Sequence, residues 1–230
     1  MDLLTDTAMV VDLADVSVRE LNASLHQATD GRFVVRSPGG AHAVACGLDA
    51  ALDVEIDGHV GYYCGGMNQH AVLDVHGNAG VGVGENMMSG SIRVRGDASQ
   101  SAGATAHGGL LVVEGNASAR CGISMKGVDI VVGGDVGHMS AFMAQAGRLV
   151  VCGDAGDGLG DSIYEARLYV CGSVAGLGAD CIEKPVRAEH LAEVTDLLRQ
   201  AGFDADPREF RRYGSARTLY HFDVDHASSY

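Results

Sequence analysis

Apolar side chains recur along this chain at intervals of nineteen residues. Val54, Leu73, Ile92, Leu111, Ile130, Leu149 and Leu168 form one column at that spacing. Ile56, Val75, Val94, Val113, Val132, Val151 and Val170 form a second, two residues further on. A separation of two, with β-branched residues in the second column, predicts a strand in every repeat with both positions on its core face. Small apolar residues make a third column: Val60, Ala79, Ala98, Ala117, Val136, Ala155 and Val174.

Glycine punctuates the same period. Gly58, Gly77, Gly96, Gly115, Gly134, Gly153 and Gly172 each follow the second apolar column by two residues. Small residues stand three further on (Gly61, Gly80, Ser99, Ser118, Gly137, Gly156, Ala175) and seven further on (Gly65, Gly84, Gly103, Gly122, Ala141, Gly160, Ala179). Directly after each anchor glycine comes His59, Asn78, Asp97, Asn116, Asp135, Asp154 or Ser173. Such residues suit a turn, where their side chains hydrogen-bond local backbone.

Strands that return in the same direction at this interval cannot be hairpins. They stack as parallel rungs about 4.8 Å apart, wound right-handed as parallel crossovers are. The prediction is an all-β fold, a single-stranded right-handed β-helix of about seven nineteen-residue coils spanning residues 54–181. Three aliphatic columns fill so narrow a coil, so a ligand would have to bind outside it. Gly39 keeps the register nineteen residues before Gly58, but His42 and Cys46 replace the small residues, which predicts a degenerate first coil.

The flanks read as caps over the open ends of the stack. In residues 1–53, Val10-Val11-Asp12-Leu13 predicts a short strand, and Ser17-x-x-Glu20 a capping box opening an amphipathic helix over about residues 18–29. In residues 182–230, Leu191, Val194, Leu197 and Leu198 predict a helix over 188–201, with Gly202 as its stop and Pro207 opening a short helix. The segment FRRYGSARTLYHFDV then either folds back on the last coil or docks on another chain.

Composition narrows the classes. Thirty-three glycines without a Gly-X-Y triplet exclude collagen, and 47% hydrophobic residues exclude a disordered low-complexity chain. A formal charge of −14 argues against a nucleic-acid partner, which needs a concentrated basic face. No apolar run approaches the roughly 18 residues of a membrane span, so no membrane is expected. The N-terminal MDLLTDTAMVVDLAD, acidic and without a basic stretch, predicts no signal peptide and a cytoplasmic setting. The six cysteines include no C-x-x-C pair; they are expected to be free thiols in a reducing compartment, with Cys152 and Cys171 stacked on adjacent coils.

No catalytic, cofactor-binding or metal site is predicted within the chain. His59, His76, His107 and His138 fall at four different phases of the repeat, whereas a metal needs its ligands together. There is no G-x-S-x-G and no G-x-x-x-x-G-K-[ST]. Gly80-x-Gly82-x-Gly84 and Gly156-x-Gly158-x-Gly160 look like pieces of a dinucleotide fingerprint, but both belong to the coil register and neither precedes a helix. The nine-residue calcium β-roll repeat is absent.

The G-x-x-G-x-x-x-G coil, in segments such as SGSIRVRGDAS, VDIVVGGDVGHMSAF and AGRLVVCGDAGDGLG, resembles the GXGXG family over roughly residues 40–181. That domain closes the large subunit of glutamate synthase and recurs in one of the subunits of formylmethanofuran dehydrogenase. The flanks SVRELNASLHQA, GADCIEKPVRAEHLAEV and FRRYGSARTLYHF resemble its stand-alone form in glutamate-synthase-like complexes, typified by the GXGXG subunit of N-methylglutamate synthase and the GlxC-like proteins. The resemblance implies a non-catalytic scaffold subunit. Its expected partners are a class II glutamine amidotransferase-like subunit and a glutamate-synthase-like subunit carrying FMN and an iron–sulfur cluster. In N-methylglutamate synthase, an enzyme of methylamine utilisation, the complex converts methylamine and glutamate to N-methylglutamate and ammonia. Glutamate synthase proper, formylmethanofuran dehydrogenase and an independent carbohydrate-binding β-helix remain alternative readings.

Overall fold

The computed structural model describes residues 8–219. Eleven strands form one sheet in the order β1-β2-β3-β4-β5-β6-β7-β8-β9-β11-β10. The front cap holds β1 (Met9–Asp12), helix α1 (Val18–Gln27) and β2 (Asp30–Arg36). The stack proper holds β3 (Ala51–Asp57), β4 (Val72–Val75), β5 (Ser91–Val94), β6 (Leu110–Val113), β7 (Lys126–Val132), β8 (Ala146–Val151) and β9 (Arg167–Val170). The rear cap holds β10 (Cys181–Lys184), helix α2 (Ala188–Ala201), a single 3-10 turn (Pro207–Glu209) and β11 (Arg211–Ser215).

From β3 to β9 every neighbouring pair is parallel and in the predicted phase, with Val54 opposite Leu73, Leu73 opposite Ile92, and so on to Leu149 opposite Leu168. The third apolar column makes its own ladder of single parallel bridges from Val60 through Ala79, Ala98, Ala117, Val136 and Ala155 to Val174. This is a parallel β-solenoid of about seven turns.

The remaining side of each coil is built from turns in which every second residue is left-handed. In one coil these are Ser101, Gly103 and Thr105, with φ of 61°, 66° and 55°. Their N–H groups alternate along the stack. Ser101 and Thr105 donate forward to the carbonyls of Ala119 (3.0 Å) and Ile123 (2.9 Å), and Gly103 donates back to Val83 (2.8 Å). At Gly103 and Gly65 glycine relieves crowding as well as backbone strain, although Ala141, with φ of 56°, holds the same place in a later coil. A Cβ on Gly103 would lie 2.6 Å from Ile130 Cδ1, and one on Gly65 2.6 Å from Ile92 Cδ1.

These turns send two further columns inward beyond the three expected from sequence. Cys64, Val83, Ala102, Cys121, Ser140 and Leu159 form one; Asn68, Met87, Ala106, Met125, Ala144 and Ile163 form the other. The polar members are satisfied: Asn68 donates to Ala71 O at 2.8 Å and accepts from Ala71 N at 3.2 Å, and Ser140 donates to Gly137 O at 2.8 Å. The coil is filled, but by more columns than the aliphatic pattern alone displays.

The first coil departs from the predicted register. Strand β2 pairs with β3 at a separation of twenty-one residues, Phe33 opposite Val54 and Val35 opposite Ile56, so Gly39 does not occupy the anchor position. The extra residues are taken up at the corner, where Ser37, Gly39 and Gly40 all have positive φ. Helix α1 begins at the predicted capping box, with Glu20 N donating to Ser17 Oγ and Ser17 N donating to Glu20 Oε2, and ends two residues earlier than expected.

The rear tail folds back. Strand β11 pairs antiparallel with both β9 and β10 and closes the end of the last coil. Helix α2 ends at Gly202, whose φ of 75° makes it a left-handed cap. The helix lies on the outer face of the sheet, where Val194, Leu197, Leu198 and Ala201 pack with Val112, Val131, Val150 and Tyr169. Residues 220–230 of the predicted docking tail lie outside the described residues.

Candidate functional site

Chemistry-bearing side chains gather in three places, all outside the filled coil. The polar column after the anchor glycines comes first. From His59 to Asp154, each of its side chains accepts a hydrogen bond from the backbone N–H of the residue nineteen positions on. Asn78 Oδ1 accepts from Asp97 N at 3.0 Å, Asp97 from Asn116 at 2.7 Å, Asn116 from Asp135 at 2.8 Å, Asp135 from Asp154 at 2.7 Å and Asp154 from Ser173 at 2.6 Å. His59 begins the series, its Nδ1 accepting from Asn78 N at 2.8 Å. The bonds therefore run between coils, not within the local turn as the sequence suggested. They explain the anchor glycines: a Cβ on Gly96, Gly115, Gly134, Gly153 or Gly172 would collide with the Oδ1 atom of the preceding coil. The column is structural.

The second place is the outer face of the front strands. Arg32 pairs with Glu55 at 2.9 Å, Arg95 bridges Asp74 (2.7 Å) and Glu114 (2.8 Å), and Arg93 also reaches Glu114 at 2.9 Å. His76 stands 3.7 Å from both Glu55 and Asp74. Burial pushes the Asp74 carboxyl up, but the hydrogen bond and charge of Arg95 outweigh it and hold the group below the usual carboxylate range. Arg93 extends this run of charge to the helix, donating to Ala201 O at 2.9 Å in the last turn of α2. A cation there also complements the helix dipole.

The third place is the rear corner where β9, β10 and β11 meet. A cavity of about 60 Å³ lies there, with Arg167, Lys184, Arg212 and Arg217 among its lining residues and Glu165 as the one acid. Pairing of β10 with β11 sets Lys184 opposite Arg212. Glu193 of α2 balances part of this charge. It takes Arg167 at 2.9 Å and accepts from the Tyr169 hydroxyl at 2.7 Å. Burial and that hydrogen bond raise the Tyr169 hydroxyl above its ordinary range. His190, buried beside Tyr169, is lowered first by burial and then by the charge of Arg212.

The thiols are not brought together as a site. Cys64, Cys121 and Cys181 are buried, and Cys152 and Cys171 directly follow the ends of the paired strands β8 and β9. Burial pushes Cys121 up to about 12 and Cys152 up to about 11, which makes both poor thiolates. Among the described residues no group of three or more His, Cys, Asp or Glu side chains could hold a metal ion. His107 and His138 are exposed and distant in phase from His59 and His76. Among the described residues no helix is long and apolar enough to cross a membrane.

The rear corner was not singled out in the sequence. All but Arg167 of its cations come from segments outside the repeat, and the antiparallel pairing of β10 and β11 sets Lys184 beside Arg212. A usable signal did exist, since Lys184, Arg187, Arg208, Arg211, Arg212 and Arg217 concentrate basic residues in one stretch of an otherwise acidic chain.

Comparison with known proteins gives a full-length relative and no domain assignment. No family model matches the chain. Protein GlxC of Rhizobium meliloti (strain 1021) is 58% identical over 226 residues, a match covering 96% of this chain and 99% of that protein. At that identity, and over nearly the whole of both chains, the chain belongs to the family of Protein GlxC.

Proposed function

We propose that this chain is the non-catalytic scaffold subunit of a glutamate-synthase-like complex, and of N-methylglutamate synthase in particular. The observation that carries this reading is the filled coil. Seven turns stacked in register make a stiff body whose interior holds no substrate, while its outer faces offer long, regular contact surfaces. The GXGXG resemblance of the repeat supplies the partners: an amidotransferase-like subunit, and a synthase-like subunit that would hold FMN and an iron–sulfur cluster. In such an assembly the stack fixes the separation of two active centres. Neither cofactor is assigned to this chain. Six free thiols suit the reducing cytoplasm.

Affinity purification from the native host tests the proposal. The expected result is co-elution with a flavoprotein and an amidotransferase-like chain, and loss of N-methylglutamate formation when the gene is deleted. A chain that elutes alone, with N-methylglutamate formation unchanged by its deletion, would sink the idea. Molybdenum- or tungsten-containing partners would instead point to the formylmethanofuran dehydrogenase reading, and partners that form glutamate to glutamate synthase proper.

A further inference from the structure

The rear corner gathers four cations, of which the described residues pair only two, Arg167 with Glu193 and Arg217 with Glu165. Lys184 and Arg212 stand directly opposite each other across an antiparallel pair, an arrangement that is destabilising for like charges. Neither has a carboxylate within 4.0 Å among the described residues, and Arg212 has only a long 3.5 Å hydrogen bond from Nη1 to Pro185 O. The Nε atoms of Arg167 and Arg212 are buried and have no hydrogen-bond partner among the described residues. Each such orphan donor costs desolvation that nothing returns. These cations line one small cavity, with Arg217 at its rim held by Glu165 at 2.7 Å.

We propose that this cavity is a binding site for a carboxylate. An anion between Lys184 and Arg212 would relieve their repulsion and pair with cations that line the cavity. Donor geometry chooses among anions: the planar forks of the arginines match the flat two-oxygen head of a carboxylate, and the cavity of about 60 Å³ has room for a head group of that size. The carboxylate belongs either to a free organic acid or to an acidic side chain of a partner chain. The site stands independently of the scaffold reading.

Thermal melting and titration calorimetry of the full chain at constant ionic strength test the assignment, with sodium acetate, succinate, inorganic phosphate and chloride as probes. Acetate and succinate are expected to raise Tm saturably. Lys184→Gln weakens their binding about tenfold or more, the worth of one charge-assisted hydrogen bond, while Lys184→Arg retains it. In buffer without carboxylates, Lys184→Gln raises Tm, because it removes one of two opposed charges. A short peptide containing Glu separates the two sources: tighter binding than succinate assigns the carboxylate to a partner chain, weaker binding to a free acid. The assignment is overturned by no saturable response, by a response that Lys184→Gln leaves unchanged, or by a preference for phosphate over acetate. It also falls if binding appears only in the full chain bearing Asp223→Asn and Asp225→Asn, which would make the protein's own acids the occupant.

Discussion

The front and rear halves of the stack share their inner columns and differ on their outer face. In β3, β4 and β5 the outward residue between the two core positions is Glu55, Asp74 or Arg93; in β6, β7, β8 and β9 it is Val112, Val131, Val150 or Tyr169. The front face is wet and laced with ion pairs, whereas the rear face is buried beneath α2. One repeat thus serves two environments, because only the outward column needs to change. The inward columns set the fold, and the outward column decides what may lie on it.

Five substitutions sharpen this contrast. The largest effect is expected from placing a front-type residue on the rear face. Val131→Asp would strand a charge under α2 and cost about 3–5 kcal/mol. Denaturant melts would register the loss, and limited proteolysis should then cut within 188–201. If α2 stays protected, the helix is not held by that face.

Next come Gly65→Ala and Gly103→Ala, two coils apart, which should cost about the same. The left-handed backbone and the crowded isoleucine together amount to about 2–4 kcal/mol in either place. Unequal costs would mean that the inner columns are not equivalent after all.

Removing one rung of the polar column, Asn116→Ala, should cost about 1 kcal/mol. Amide exchange at Asp135 would rise, while Asp154, held by its own rung, stays protected.

The smallest effect is expected from placing a rear-type residue on the front face. Asp74→Val breaks only a partly exposed pair with Arg95, worth about 0.2–1 kcal/mol and weaker in salt. It should also flatten the acid limb of the stability profile. The folded Asp74 carboxyl is depressed, so its contribution is complete above the ordinary carboxylate pKa and disappears as pH falls through the depressed value. A parent profile no steeper than the variant's would contradict this.

Much of the architecture was legible because phase is a one-dimensional property. Identical side chains at a constant interval can only pile up if the strands are parallel, and both terminal helices announced themselves through Ser17, Glu20 and Gly202. Two inward columns were missed because their members differ in chemistry, from Asn68 to Ile163 and from Ser140 to Leu159. What makes those positions inward is the alternating left-handed backbone, which no residue pattern short of the glycines declares. The first coil was misplaced because a corner insertion shifts phase without erasing the glycine at 39.

The covered rear face was readable and not read. The strands pass from Val54-Glu55-Ile56 and Leu73-Asp74-Val75 to Leu111-Val112-Val113 and Ile130-Val131-Val132, and an uninterrupted apolar run marks a strand buried on both sides. The basic stretch from Lys184 to Arg217 was visible too, but which of its cations meet was not. Lys184 and Arg212 are brought together by an antiparallel pairing that follows no period.

A stack held in constant phase also has a length that changes only in whole steps. Excising one period from the front half, where no helix straddles the coils, would rejoin equivalent positions and bring the two caps closer by about 4.8 Å. The rear half has no such freedom, because α2 spans several strands at once and would lose its footing. Any lineage that needed a shorter or longer ruler between its ends would therefore be expected to gain or lose nineteen residues ahead of β6, and seldom behind it.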